Sequence, residues 1–238
     1  AYQNNNNIKI IDKIISNGNQ GVIKYGCNKN DSNCDRYIIK ISFEMENNIK
    51  NINKYGEVYI NNLIKNEPKI KSPKLLGYFA CPIYDNESII TTINSMAEKG
   101  IEYDYNDHTH ILYQVYETVY SNISNNEIIS KCKYNINNII GHNILLIKNE
   151  IYNLDMHVNN MIIDKNNNIN FIDYGYSYTI DSYLYQKFGY SFKKINNDKL
   201  KNLIDQNIYS MDLRISMTLY SFAVILISNN KCFENDKD

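Results

Sequence analysis

The sequence predicts an α+β fold in two parts, a small β-rich first part and a mainly helical second part. Three observations carry this prediction. Short β-branched and aromatic runs, separated by turn residues, fill much of residues 8–93. Apolar residues recur at helical spacing over 48–66 and again from residue 110 onward. A compact strand–turn–strand insertion, residues 161–173, interrupts the helical half. At 238 residues the chain suits one large domain or two small lobes, and the change of pattern places the parts at 1–94 and 95–238.

In chain order, Ile8–Ile15 is an apolar strand and Ser16–Gly21 a small, polar, glycine-bearing turn. Val22–Cys27 pairs back as a hairpin. After the polar loop Asn28–Asp35, the run Arg36–Phe43 is the clearest strand, with one lysine inside it. Ile49, Ile52, Val58 or Tyr59, Leu63 and Ile64 give the helical period, which Pro68 and Pro73 close. Leu75–Ala80 and Ser88–Ile93 read as two more strands. Asn94, Ser95 and Gly100 break the pattern between the parts. Beyond them, His110–Ile123 and Ile136–Lys148 are predicted helices. Residues 198–228 return to helical periodicity, and Ser216–Ile227 is apolar almost all round, which predicts full burial.

Composition narrows the function. Formal net charge is −1, so the basic excess of a nucleic-acid reader is missing. The 41 asparagines, with heavy Ile, Lys and Tyr, look like an AT-rich coding bias, and the short Asn runs read as loop filler. Cys27, Cys34, Cys81, Cys132 and Cys232 are dispersed without a C-x-x-C pair, which argues against zinc and predicts reduced thiols. Residues 1–10 carry no apolar signal segment, and Ser221–Ser228 is too short to span a membrane. A soluble, intracellular protein is the expectation.

The chemistry is concentrated in Tyr152–Ser177. Asp155 is followed five residues on by Asn160; two short strands joined by a polar turn then deliver Asp173 into Asp-Tyr-Gly. The hairpin frames two carboxylates and one amide at one rim. Phosphoryl transfer needs that set: a carboxylate to orient a hydroxyl and accept its proton, and oxygen ligands for magnesium on the β- and γ-phosphates. Zinc would favour Cys and His instead.

With these residues the chain resembles the protein-kinase-like superfamily. Asn153-Leu154-Asp155 stands where that family has His-Arg-Asp, Asp155-x4-Asn160 is similar to its catalytic loop, and Asp173-Tyr174-Gly175 to Asp-Phe-Gly. The turn Ser16-x-Gly18-x-x-Gly21-x-Ile23 resembles the family's glycine-rich loop with serine first, and Lys40 in Tyr37-Ile38-Ile39-Lys40 resembles its strand lysine. The resemblance implies a two-lobed kinase fold with a shortened C-lobe. It implies ATP and Mg2+ as cofactors and Ser/Thr hydroxyls of protein substrates as acceptors. Asp155 would be the base, Asn160 and Asp173 the metal ligands. Ser16, Gly18, Gly21 and Ile23 would cover the nucleotide, the segment Ile93–Met96 would meet adenine, and Lys40 held by Glu57 would meet the phosphates. His157 either stabilises transferred charge when protonated or hydrogen-bonds the loop. Asp212 is either a brace for the catalytic loop or a helix-start charge favoured by the dipole.

Several positions depart from the family pattern. Leu154 replaces the arginine, which predicts activity independent of activation-segment phosphorylation. No Ala-Pro-Glu follows Asp-Tyr-Gly, and Tyr176–Lys199 does not align. His157 is similar to the form found in small-molecule kinases of the aminoglycoside or choline type, which are the alternative, followed by a nucleotide-binding pseudokinase. The composition and compactness are similar to those of kinases of poxviruses and other large DNA viruses, implying a cytoplasmic or virion setting.

Overall fold

A computed structural model describes residues 8–18, 21–31, 35–83, 109–119, 125–164, 166, 168–183 and 208–228. It has the mixed α+β content that the sequence predicts. The chain divides into two compact units, Ala1–Ile52 with Pro73–Thr118, and Asn53–Ser72 with Val119–Asp238. The strand expected at 88–93, the division expected at 94/95 and the adenine segment Ile93–Met96 lie outside the described residues.

The first unit is built on an antiparallel sheet. Its strands are β1 (Ile8–Gly18), β2 (Gly21–Asn28), β3 (Tyr37–Glu44), β4 (Leu75–Pro82) and β5 (His110–Glu117), in the order β1-β2-β3-β5-β4. β-Branched and aromatic side chains suit these strands because alternate residues pack on opposite faces. One face carries a core of Val22, Ile39, Ile41, Phe43, Ile111 and Tyr113. Phe79 stacks on Tyr113 there, with ring centroids 4.5 Å apart.

β5 corrects the sequence prediction, which made His110–Ile123 a helix. Residues 111–116 are all buried, so both faces of the strand are covered and its apolar residues run without alternation. Such a run resembles a buried helix, and only its partners decide between them. The single helix predicted over 48–66 is also two, α1 (Glu46–Lys50) and α2 (Glu57–Ile64). Gly56 separates them at φ 84°, which no helix accommodates.

In the second unit α2 packs with α3 (Asn125–Lys148), the hairpin of β7 (Met161–Ile163) and β8 (Ile169–Phe171), and α4 (Ile208–Ser228). The shared core includes Ile60, Ile64, Ile139, Leu146, Met161, Phe171, Tyr174 and Ile225. Each fully buried isoleucine or leucine contributes roughly 2 kcal/mol. Two short strands, β6 (Tyr152–Asn153) and β9 (Ser177–Tyr178), pair antiparallel.

α4 is a helix as predicted, yet it is not buried all round. Met217, Ser221 and Ile225 form its buried stripe, while Leu219, Leu226 and Ile227 are 65%, 55% and 75% exposed. Hydropathy records what a side chain prefers and not which neighbours it meets. A second correction concerns the thiols: Cys27, at the end of β2, is disulfide-bonded, against the expectation of reduced cysteines. Dispersion along the sequence does not set separation in a sheet-and-loop fold.

Candidate functional site

The predicted residues fall into two groups, one in each unit. In the second unit, Ile151, Tyr152 and Met156 are buried and anchor the loop that carries Asp155. The backbone N–H of Asp155 donates to Asn153 Oδ1 at 2.8 Å, and Asn153 is 2% exposed. Leu154 N–H donates to the Tyr176 carbonyl at 3.0 Å, and Ile172 N–H to the Asn160 carbonyl at 2.9 Å. The loop before the hairpin is therefore stitched twice to the chain that follows it.

Asn160 organises the side chains. Its Nδ2 donates to the Asp155 carbonyl at 3.0 Å and to Asp155 Oδ2 at 3.2 Å, and lies 3.3 Å from His157 Nε2. Among the described residues, every side-chain hydrogen bond of Asn160 runs through Nδ2, which leaves Oδ1 for a cation. His157 Nε2 also stands 3.4 Å from Asp155 Oδ1. Asp155 and His157 keep 37% and 27% of their side-chain surface, so both are open to a substrate. His157 Nδ1 is buried without a hydrogen-bond partner among the described residues.

Asp173 follows Ile172 directly and takes φ 60°. Its Oδ1 accepts the Gly175 N–H at 3.2 Å, which closes a tight turn. Left-handed backbone is costly for a side-chain-bearing residue and is held only where the surroundings over-determine it. Tyr174 is 1% exposed in the core beneath. Side-chain contacts thus link Asp155, His157 and Asn160, and the Ile172–Asn160 backbone bond fastens the residue before Asp173 to the same loop. Among the described residues no group of three or more His, Cys, Asp or Glu is placed to hold a metal. Magnesium does not require such a cage: one amide oxygen and one carboxylate, completed by phosphate and water, fit its usual protein sites.

In the first unit, strand register gathers Ser16, Gly18, Gly21, Ile23 and Lys40. Ser16 pairs with Ile23, Gly18 with Gly21, and Ile23 with Lys40. The turn residues 19–20 lie outside the described residues. A Cβ on Gly21 would collide with the carbonyl oxygen of Ile41, so glycine is demanded by close approach. Lys40 is 8% exposed on β3, between β2 and β5, and so is no edge lysine. Glu57 begins α2 and belongs to the second unit.

Some polar residues were not foreseen. Gln114, directly across from Lys40, is 1% exposed and accepts the Tyr116 hydroxyl at 2.8 Å. Ser42, two residues from Lys40 on the same strand face, has a buried hydroxyl without a partner among the described residues. Lys24 is buried on the opposite face. Misreading β5 as a helix concealed the row that sets Gln114 beside Lys40. Asn153 was legible in principle, because Asn two residues ahead of a backbone N–H is a recurrent turn device. Asp212 lies in α4, but its side chain falls outside the described residues. No protein-family model matches the chain, and no curated protein matches it.

Proposed function

We propose that the chain is an ATP- and magnesium-dependent phosphotransferase of the protein-kinase-like kind, acting on Ser/Thr hydroxyls of proteins. One juxtaposition carries the proposal: Asn160 bonded through Nδ2 to the Asp155 carboxylate, with its carbonyl fastened to the residue before a left-handed Asp173. Asp155 orients the acceptor hydroxyl and takes its proton. Asn160 Oδ1 and the Asp173 carboxylate would hold magnesium, which when bound neutralises phosphate charge. Lys40 engages the phosphates, and Ser16, Gly18, Gly21 and Ile23 cover the nucleotide. His157 places an imidazole beside the developing charge.

A small-alcohol acceptor of the aminoglycoside or choline type is the second reading. The contacts of His157 with both Asp155 and Asn160 favour it. Labelled ATP offered with generic protein acceptors or with small alcohols separates the two. Asp155→Ala should leave nucleotide binding in place and cut turnover about a hundredfold to ten-thousandfold. Wild-type turnover in that variant would remove Asp155 from the chemistry.

A further inference from the structure

Tyr174 occupies the middle of Asp-Tyr-Gly, with its ring in the core of the second unit. A phenylalanine would bury the same ring without needing a polar partner. A buried phenol hydroxyl must be hydrogen-bonded or it offsets much of the gain from burial. Here it has two partners. Ser72 bonds it through its side chain, and His142 Nε2 lies 3.3 Å away.

Both partners are fixed to the strand that leads into Asp173. His142, on α3, is 5% exposed, and its ring stacks on Phe171 with centroids 4.0 Å apart and planes 22° apart. Ser72 follows Lys71, whose carbonyl accepts the Phe171 N–H at 2.9 Å. Burial keeps His142 neutral, so with its proton on Nδ1 the Nε2 atom accepts the phenol O–H. The Ser72 hydroxyl then donates to the phenol oxygen. The phenol oxygen is then satisfied from both sides, and the two ends of this three-member chain lie on separate segments flanking β8.

We propose that Ser72 and His142 are positioning residues that act through the Tyr174 hydroxyl, holding the ring in the core and thereby keeping Asp173 in its left-handed turn. The latch is a property of the fold; the use of Asp173 as a magnesium ligand rests on the phosphotransfer proposal. Without the hydroxyl, the ring is retained by apolar contacts alone, and the strained backbone beside it can relax.

The test is amide hydrogen exchange on the full chain without nucleotide, comparing residues 172–177 with residues 161–171. Tyr174→Phe should speed exchange over 172–177 about tenfold, the effect of one buried hydrogen bond, and leave 161–171 unchanged. Ser72→Ala should behave alike. His142→Gln, which retains an acceptor, should exchange more slowly there than His142→Leu. In Tyr174→Phe, the magnesium-dependent tightening of a non-hydrolysable ATP analogue should also fall about tenfold, with metal-free binding unchanged. Unchanged exchange over 172–177 overturns the latch, and so does acceleration spread evenly over 161–177. Localised acceleration together with no magnesium-dependent nucleotide binding by the wild-type protein supports the latch and defeats the phosphotransfer proposal.

Discussion

Glu150 and Asp173 share a backbone conformation and almost nothing else. Their φ values are 59° and 60°. Glu150 ends α3: its N–H donates to the Ile147 carbonyl, and the Ile151 N–H to the Leu146 carbonyl, both at 2.9 Å. That double bond pattern is the usual helix stop, in which glycine is the favoured residue. The Glu150 side chain is 59% exposed and meets Arg214 at 3.0 Å on the surface. Asp173 ends a strand, bonds its own turn at Gly175 and sits above a buried, polar-tethered tyrosine. The same φ thus closes a helix in one place and, in the other, ends a strand next to a buried, hydrogen-bonded tyrosine. An unusual φ identifies a site only through what the side chain is surrounded by.

Glycine substitution at both positions tests that difference most directly. Asp173→Gly should relieve strain without lowering the thermal midpoint, while the proposed magnesium-dependent phosphotransfer should fall about a hundredfold or more. Full activity in that variant would reduce Asp173 to a second Glu150. Gly21 supplies the converse case, a position where the missing side chain is itself required. Gly21→Ala should cost about 2 kcal/mol or more in urea unfolding, because the new methyl meets the Ile41 backbone. A midpoint equal to wild type would show that the strand end gives way.

The histidine beneath Asp-Tyr-Gly sharpens the contrast through pH. Desolvation lowers the pKa of His142 from 6.5 to about 3. Between those values the unfolded chain binds the extra proton, so stability is complete above pH 6.5 and declines as the pH falls toward 3. From pH 6.5 to 5 the loss is roughly 2 kcal/mol. His142→Phe should flatten that part of the stability profile; an unchanged slope would mean that other groups set it. The smallest effect is expected at the helix stop. Glu150→Gly should stabilise by about 0.5 to 1 kcal/mol, since the exposed ion pair with Arg214 contributes little. A destabilised variant would show that the pair outweighs the backbone strain.

What the sequence revealed was short-range. Asp155 and Asn160 were legible because one short loop holds them five residues apart, and Asp173 because a hairpin of two three-residue strands separates it from Asn160. The glycine turn and Lys40 were legible because two adjacent hairpin strands place them in register. Long-range relations were not. β5 carries no alternation because both of its faces are covered, and the bare face of α4 depends on neighbours that hydropathy does not record. The tethering of Tyr174 joins Ser72, on the segment after α2, to His142 within α3, a juxtaposition set by packing and by no local pattern.

The discontinuous make-up of the second unit also orders events during synthesis. Ile60, Ile64 and Ile70 leave the ribosome long before Ile139, Phe171 and Ile225, the residues they are buried with. The apolar side chains of Asn53–Ser72 must therefore wait uncovered by these partners while the sheet strands that follow are translated. A nascent chain halted soon after residue 118 would hold that stretch without its partners, and chaperone capture should peak there.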